Sequence, residues 1–167
     1  ARDIEWHAAR IAAFGSTRRG GVSAEEDTGL RDLVASGAPA VAIFGKSWEM
    51  HVTDILRVSL EENLAMIHDS VSFLKQHMLE VIFDAEHFFD GYKANRDYAM
   101  ETLRRAQAAG ADSLCLCDTN GGCLPDEIAR IVSDVAQELS WPLGIHCHND
   151  SGTAVAGSLA AVQAGCT

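Results

Sequence analysis

The sequence predicts an α/β fold built on a parallel sheet, and three observations carry that prediction. Five short runs are almost wholly apolar rather than alternating, as strands covered on both faces are. Between them lie longer segments whose apolar residues recur at spacings of three and four, the period of one helix face. The two patterns alternate from one end of the chain to the other, and such a series of strand-helix units joins parallel strands through right-handed crossovers.

The first strand is expected over residues 10–15. The helix after it should open at Ser23, because Ser23 and Glu26 have capping-box spacing, in which the serine oxygen takes an orphan amide and the glutamate reaches back. Gly37 should close that helix in a left-handed cap. A second strand over residues 40–44 precedes another capping pair, Ser59 and Glu62. The helix they open carries Leu60, Leu64, Ile67, Val71, Leu74 and Met78 as a single stripe. The third strand, residues 80–84, leads to a helix through Met100, Leu103, Ala106 and Ala109 that stops at Gly110. The fourth, residues 112–117, leads to a helix that begins after Pro125 and carries Ile128, Ile131, Val132, Val135 and Leu139. The fifth, residues 142–146, is entered through a proline, and Gly165 follows the last helical segment.

With 167 residues, 47% of them hydrophobic, the chain can bury a core and reads as one domain without linkers. Thirteen basic against 24 acidic residues give a formal charge of −11, which argues against nucleic acid or an anionic membrane as partner. The five cysteines form no C-x-x-C pair and sit in apolar runs, as reduced thiols in a cytoplasmic protein do. No apolar segment approaches the roughly 18 residues that a spanning helix needs, and no signal-peptide pattern opens the chain. A first residue of Ala1 in place of methionine fits either a piece of a longer protein or a processed or trimmed chain.

Two architectures accept this rhythm: a self-contained doubly wound sheet, or five-eighths of a (β/α)8 barrel. The loop after the first strand, Gly15 to Gly21, matches neither phosphate-binding glycine pattern, although Arg18 and Arg19 offer charge for an anion. In both architectures ligands gather at the carboxyl ends of the strands, and polar residues gather there too. They are Ser16, Thr17 and Arg18; Lys46, Ser47 and His51; Asp84, Glu86 and His87; Asp118, Thr119 and Asn120; and His146, His148, Asn149 and Asp150. Any one of these groups alone reads equally as solvated polar residues or helix caps. In an extended strand His146 and His148 point to one side while Ile145 and Cys147 point to the other, a chelating geometry that still needs further ligands. Glu86 and Asp118 are available as ligands, bases or orienting groups, and Thr119 offers a hydroxyl to a carboxylate. The residues alone thus support a metal-assisted reaction on a small carboxylate or carbonyl compound. His7, His68 and His77 read as solvated helix-face histidines, Cys115 and Cys117 as strand thiols without a redox role, and Trp48 as a packing residue.

Six stretches in order, "AFGSTRR", "FGKSWEMHV", "EHFFDGYKAN", "AGADSLCLCDTNGG" with "LPDEI", "GIHCHND" and "AVAGSLAAVQAG", carry a resemblance that runs nearly end to end. They resemble the HMG-CoA-lyase-like, metal-dependent acyltransferases and lyases that include 2-isopropylmalate, homocitrate and citramalate synthases. "FGKSWEMHVT" and "DAEHFFDGYK" are most similar to the citramalate branch, which condenses pyruvate with acetyl-CoA. The resemblance implies a partial (β/α)8 barrel whose five strands correspond to strands two to six of eight. It implies that His146 and His148 ligate Mg²⁺, Mn²⁺ or Zn²⁺, that Thr119 binds the keto-acid carboxylate, and that Glu86 is the catalytic glutamate near acetyl-CoA. Asp118, His51 and Lys46, at neighbouring strand ends, join Thr119 as candidate substrate-binding residues. A homodimer is also implied. Three departures stand out: Arg2-Asp3 is not in the setting of the family's first-strand Arg-Asp pair, the last two strands and the regulatory domain are lacking, and Gly157 stands where asparagine is usual. The isolated chain is therefore expected to be a barrel fragment, weakly active or inactive alone, because an open arc exposes edges that a closed barrel hides. The rival readings are a relative acting on another keto acid and a non-catalytic interaction module.

Overall fold

A computed structural model describes residues 8–167, so Arg2-Asp3 and His7 lie outside the described residues. Five strands, β1 (Ala12–Ser16), β2 (Ala40–Lys46), β3 (Glu80–Glu86), β4 (Ser113–Asp118) and β5 (Leu143–Cys147), form one parallel sheet in the order β1-β2-β3-β4-β5. The helices are α1 (Thr28–Ala35), α2 (Leu60–Lys75), α3 (Phe88–Ala94), α4 (Arg96–Ala108), α5 (Pro125–Glu138) and α6 (Ala154–Ala164), with a π-type turn at His51–Leu56. Spatial order equals chain order, with no reversal. A doubly wound sheet needs a reversal, so the sequential progression selects the arc of a barrel.

Alternation along each strand explains why only one face is covered. Val41, Ile43, Val81, Phe83, Leu114, Leu116 and Leu143 turn into a continuous core with Leu30, Ile67, Leu74, Leu103, Ile128 and Val135 from the helices. The opposite face carries Phe14, Phe44, Asp84, Cys117 and His146, and is only partly covered: Phe14 remains 64% exposed. Among the described residues each of the outer strands β1 and β5 has a single neighbour, and Val155, Leu159 and Val162 stand exposed along α6. These are surfaces that closure of a barrel covers. Among the described residues no helix is long and apolar enough to cross a membrane.

The strands reach further than their apolar runs. Lys46 still pairs with Glu86, and Asp118 with Cys147, because ladder hydrogen bonds need no apolar side chain. Helix ends agree with the sequence at Gly37, Gly110 and Gly165, all with positive φ, and at Ser59, which accepts from the Glu62 amide at 3.1 Å, although the Glu62 carboxylate turns to Arg18 and the Gly21 amide instead of back to Ser59. They disagree at Ser23: α1 opens at Thr28 with Asp27 as cap, and Ser23 only bonds the Glu26 carboxylate. Asp27 wins because its buried carboxylate accepts three hydrogen bonds, from the amides of Leu30 (3.1 Å) and Arg19 (3.0 Å) and from Arg19 Nε (3.3 Å). The aromatic pair after β3 forms its own short helix, α3, which buries Phe88 and Phe89.

Burial alone raises the Asp27 carboxyl, but its bonds to Arg19 and Leu30 outweigh that and hold it below the usual range. The stability it supplies is therefore present above the ordinary carboxylate pKa and lost as pH falls through the depressed value. Asp27→Ala should cost about 1–2 kcal/mol in urea unfolding at neutral pH. The variant should converge on the unsubstituted protein toward acid pH; an equal deficit at all pH values would contradict the account.

Candidate active site at the carboxyl rim

A cavity of about 180 Å³ lies on the open face at the carboxyl ends of the strands, lined by Phe14, Phe44, Asp84, Glu86, Cys117, Thr119, His146 and His148. Every lining residue sits on the same pleat of its strand or its continuation, and register places them side by side: Phe44 beside Asp84, Cys117 beside His146. His146 and His148 face one side together, ring centroids 5.0 Å apart, while Ile145 and Cys147 pack toward the core. The His148 amide donates to the Asp118 carbonyl at 3.2 Å, which prolongs the β4-β5 ladder past the strand. Gly121 makes this possible: at φ +60 its Cα sits so close to the next loop that a Cβ would lie 2.9 Å from the His148 carbonyl.

Glu86 closes the cavity from β3 and forms an ion pair with Lys46 from β2. Thr119 follows β4, and its hydroxyl oxygen accepts from the His87 amide at 2.8 Å, leaving the hydroxyl proton to donate. His87 adopts a left-handed backbone (φ 55), and its Nδ1 lies 3.2 Å from Asp90 Oδ2. Burial pushes the Asp84 carboxyl up, and the neighbouring His146 and Cys115 offset this only in part.

Two expected residues stand apart. Asp118 faces the helix side, where Oδ2 accepts from the Cys123 amide at 3.2 Å and Oδ1 is buried without a hydrogen-bond partner, so it shapes the loop before α5. His51 does not line the cavity. Its ring stacks on Trp48 (5.0 Å) and against His87 (4.2 Å), its Nδ1 is buried without a partner, and burial followed by the charges of His87 and Lys46 lowers its pKa. Lys46 reaches both this cavity's Glu86 and a neighbouring cavity of about 390 Å³ near Thr17, Ile55 and Val58. The loop arginines there are engaged internally: Arg18 with Glu62 and Asp69 at 2.7 and 2.9 Å, Arg19 with Asp27.

Asp84, named in the sequence only among the rim's polar residues, and Cys117, read there as a strand thiol, are members of the site to which the sequence assigned no role. A signal was available, since each lies two residues before a chosen one, Glu86 and Thr119, and a strand puts such neighbours on one face.

Residues 5–167 match the HMGL-like family model. The chain is 55% identical to the (R)-citramalate synthase of Geobacter sulfurreducens over 157 residues, 94% of this chain and 30% of that protein. It is 36% identical to homocitrate synthase AksA of Methanopyrus kandleri, over 94% of this chain and 37% of that protein. The solved HMG-CoA lyase of Bacillus subtilis superposes with a TM-score of 0.77 at 19% identity, over 93% of this chain and 51% of that one. The chain spans about 30% of the length of the citramalate synthase it matches.

Proposed function

This chain belongs to the HMGL-like family, and from that premise we propose that it supplies five strand-helix units of the catalytic barrel of an enzyme that condenses acetyl-CoA with pyruvate to citramalate. The observation that carries the reading is one cavity in which the His146-His148 pair meets Glu86 and Thr119. The greater identity to a citramalate synthase than to a homocitrate synthase favours pyruvate as the keto acid.

The donor set fits a divalent cation: two imidazoles on one side of the rim, in a cavity that the Asp84 and Glu86 carboxylates also line. His146 and His148 would hold Mg²⁺, Mn²⁺ or Zn²⁺, and the bound ion supplies Lewis-acid polarisation of the keto carbonyl. Thr119, with its oxygen already accepting from His87, is committed to donate its proton to the substrate carboxylate. Glu86 takes a proton from the acetyl methyl group, and Lys46 holds that carboxylate in place. In the cavity that Phe14 and Phe44 line, the resulting carbanion equivalent attacks the keto carbon, the alkoxide so formed takes up a proton, and water then hydrolyses the thioester to release the thiol. The remaining strands come from the rest of a longer protein, active as a homodimer in the cytoplasm, where five free thiols persist. The 167 residues alone are weakly active or inactive.

The test is release of free thiol from acetyl-CoA by the protein carrying the whole barrel, with pyruvate, 2-oxoisovalerate and 2-oxoglutarate compared. Pyruvate should lead in kcat/KM by at least about tenfold, the discrimination that a pocket fitted to one methyl group supports. Preference for either larger acid would reassign the enzyme, and no release with any would favour a non-catalytic module.

A further inference from the structure

Asp84, Cys117 and His146 bring one carboxylate oxygen, one sulfur and one imidazole nitrogen to within 4.8 Å of one another. They come from the three adjacent strands β3, β4 and β5, on the open face, and all line the 180 Å³ cavity. Cys117 is buried and Asp84 half-buried, so these two lie at the cavity floor, and His146, exposed beside His148 at the mouth, completes the group from above. The geometry points to a second metal position in this cavity: an Asp-Cys-His site for a thiophilic divalent cation such as Zn²⁺, distinct from the His146-His148 pair and sharing His146 with it.

The donor chemistry selects the ion. A thiolate with one imidazole and one carboxylate suits Zn²⁺ and leaves a fourth position open to the cavity, whereas Mg²⁺ favours oxygen ligands and near-octahedral geometry. Donor atoms around tetrahedral zinc lie roughly 3.5 Å apart, given bond lengths of about 2.0–2.3 Å, so side-chain rotations of modest size close the group. The rotation of Cys117 breaks no short hydrogen bond to the backbone: its thiol lies 3.8 Å from the Cys115 carbonyl and beside the Cys115 side chain. On binding, the S–H bond of Cys117 breaks as the S–Zn bond forms, and the proton leaves to solvent. A neutral His146 ring has one nitrogen lone pair free for a metal and serves one position at a time. Zinc on the floor therefore withdraws His146 from His148 and should inhibit the condensation; that consequence rests on the proposed function, whereas the site itself does not.

The experiment is a Co²⁺ titration of the metal-free full-length protein without substrate, read as the near-ultraviolet thiolate-to-cobalt charge-transfer band. The band should appear in the unsubstituted protein, persist in Cys115→Ser and in His148→Ala, and disappear in Cys117→Ser. X-ray absorption of the unsubstituted zinc-loaded protein should show one sulfur neighbour at about 2.3 Å, and this decides the matter if Cys117→Ser does not fold. A zinc shell of nitrogen and oxygen alone, or a band that survives Cys117→Ser, would overturn the assignment. Neither readout depends on turnover, so an inactive protein with a cobalt-thiolate band would sink the proposed function and leave this site standing.

Discussion

His146→Ala should reduce turnover of the whole enzyme by about three orders of magnitude, the equivalent of roughly 4 kcal/mol of lost Lewis-acid stabilisation. It should also abolish stoichiometric divalent metal after dialysis, measured by elemental analysis on the same sample. The cause is geometric. Among the described residues His146 is the one imidazole that reaches both His148, at 5.0 Å between rings, and the Asp84-Cys117 floor, so its loss dismantles the mouth and the floor of the cavity together. His148→Ala removes only the mouth; it should be comparably inactive yet still bind a thiophilic ion. His68→Ala is the control, because His68 lies half-exposed on α2 beside Asp69 and should change neither metal content nor rate. A His146→Ala enzyme that keeps its metal and works within threefold of the unsubstituted rate would remove the basis of the metal-assisted reading.

Gly91→Ala should destabilise the protein by about 3 kcal/mol or more, by the overpacking mechanism at its most severe. Gly91 lies buried in α3, where a Cβ would fall 2.1 Å from the Ser47 carbonyl oxygen, 2.8 Å from its carbon and 3.0 Å from Trp48 Cα. All three atoms are backbone, and that backbone cannot retreat. Ser47 is fully buried, its amide donates to the Glu86 carbonyl at 3.1 Å, and its hydroxyl meets Thr102 Oγ1 at 2.8 Å. The midpoint of urea unfolding should fall at constant slope, which marks lost stability rather than a changed denatured state. Gly122→Ala, with nothing within 4 Å of a new Cβ, should stay within about 0.5 kcal/mol. Equal stability of Gly91→Ala and the unsubstituted protein would mean that α3 does not press on the loop after β2. That contact also sets Trp48 and His51 against His87, so a surviving Gly91→Ala protein should lose activity as well.

Much of the arc could be read in one dimension because its determinants are local. Apolar runs located all five strands, and positive-φ glycines closed the helices where Gly37, Gly110 and Gly165 stand. The same local logic failed where a tertiary partner outbid a local one. Ser23 has the right spacing for a cap, but Asp27 reaches Arg19 as well as the Leu30 amide and takes the helix start. Asp118 looks like a rim carboxylate, yet one residue of register turns it to the helix side to hold Cys123. His51, expected at the substrate, instead packs between Trp48 and His87.

The pairing of His146 with His148 was determined by sequence alone, since two residues apart on a strand share a face wherever that strand lies. The family was determined there too, by motifs in fixed order. What only the tertiary structure decided is which side chains from other strands meet that pair. Asp84 and Cys117 join His146 through interstrand register, and register depends on ladder hydrogen bonds and core packing between segments far apart in the chain, a non-local balance that no periodicity within a single segment encodes.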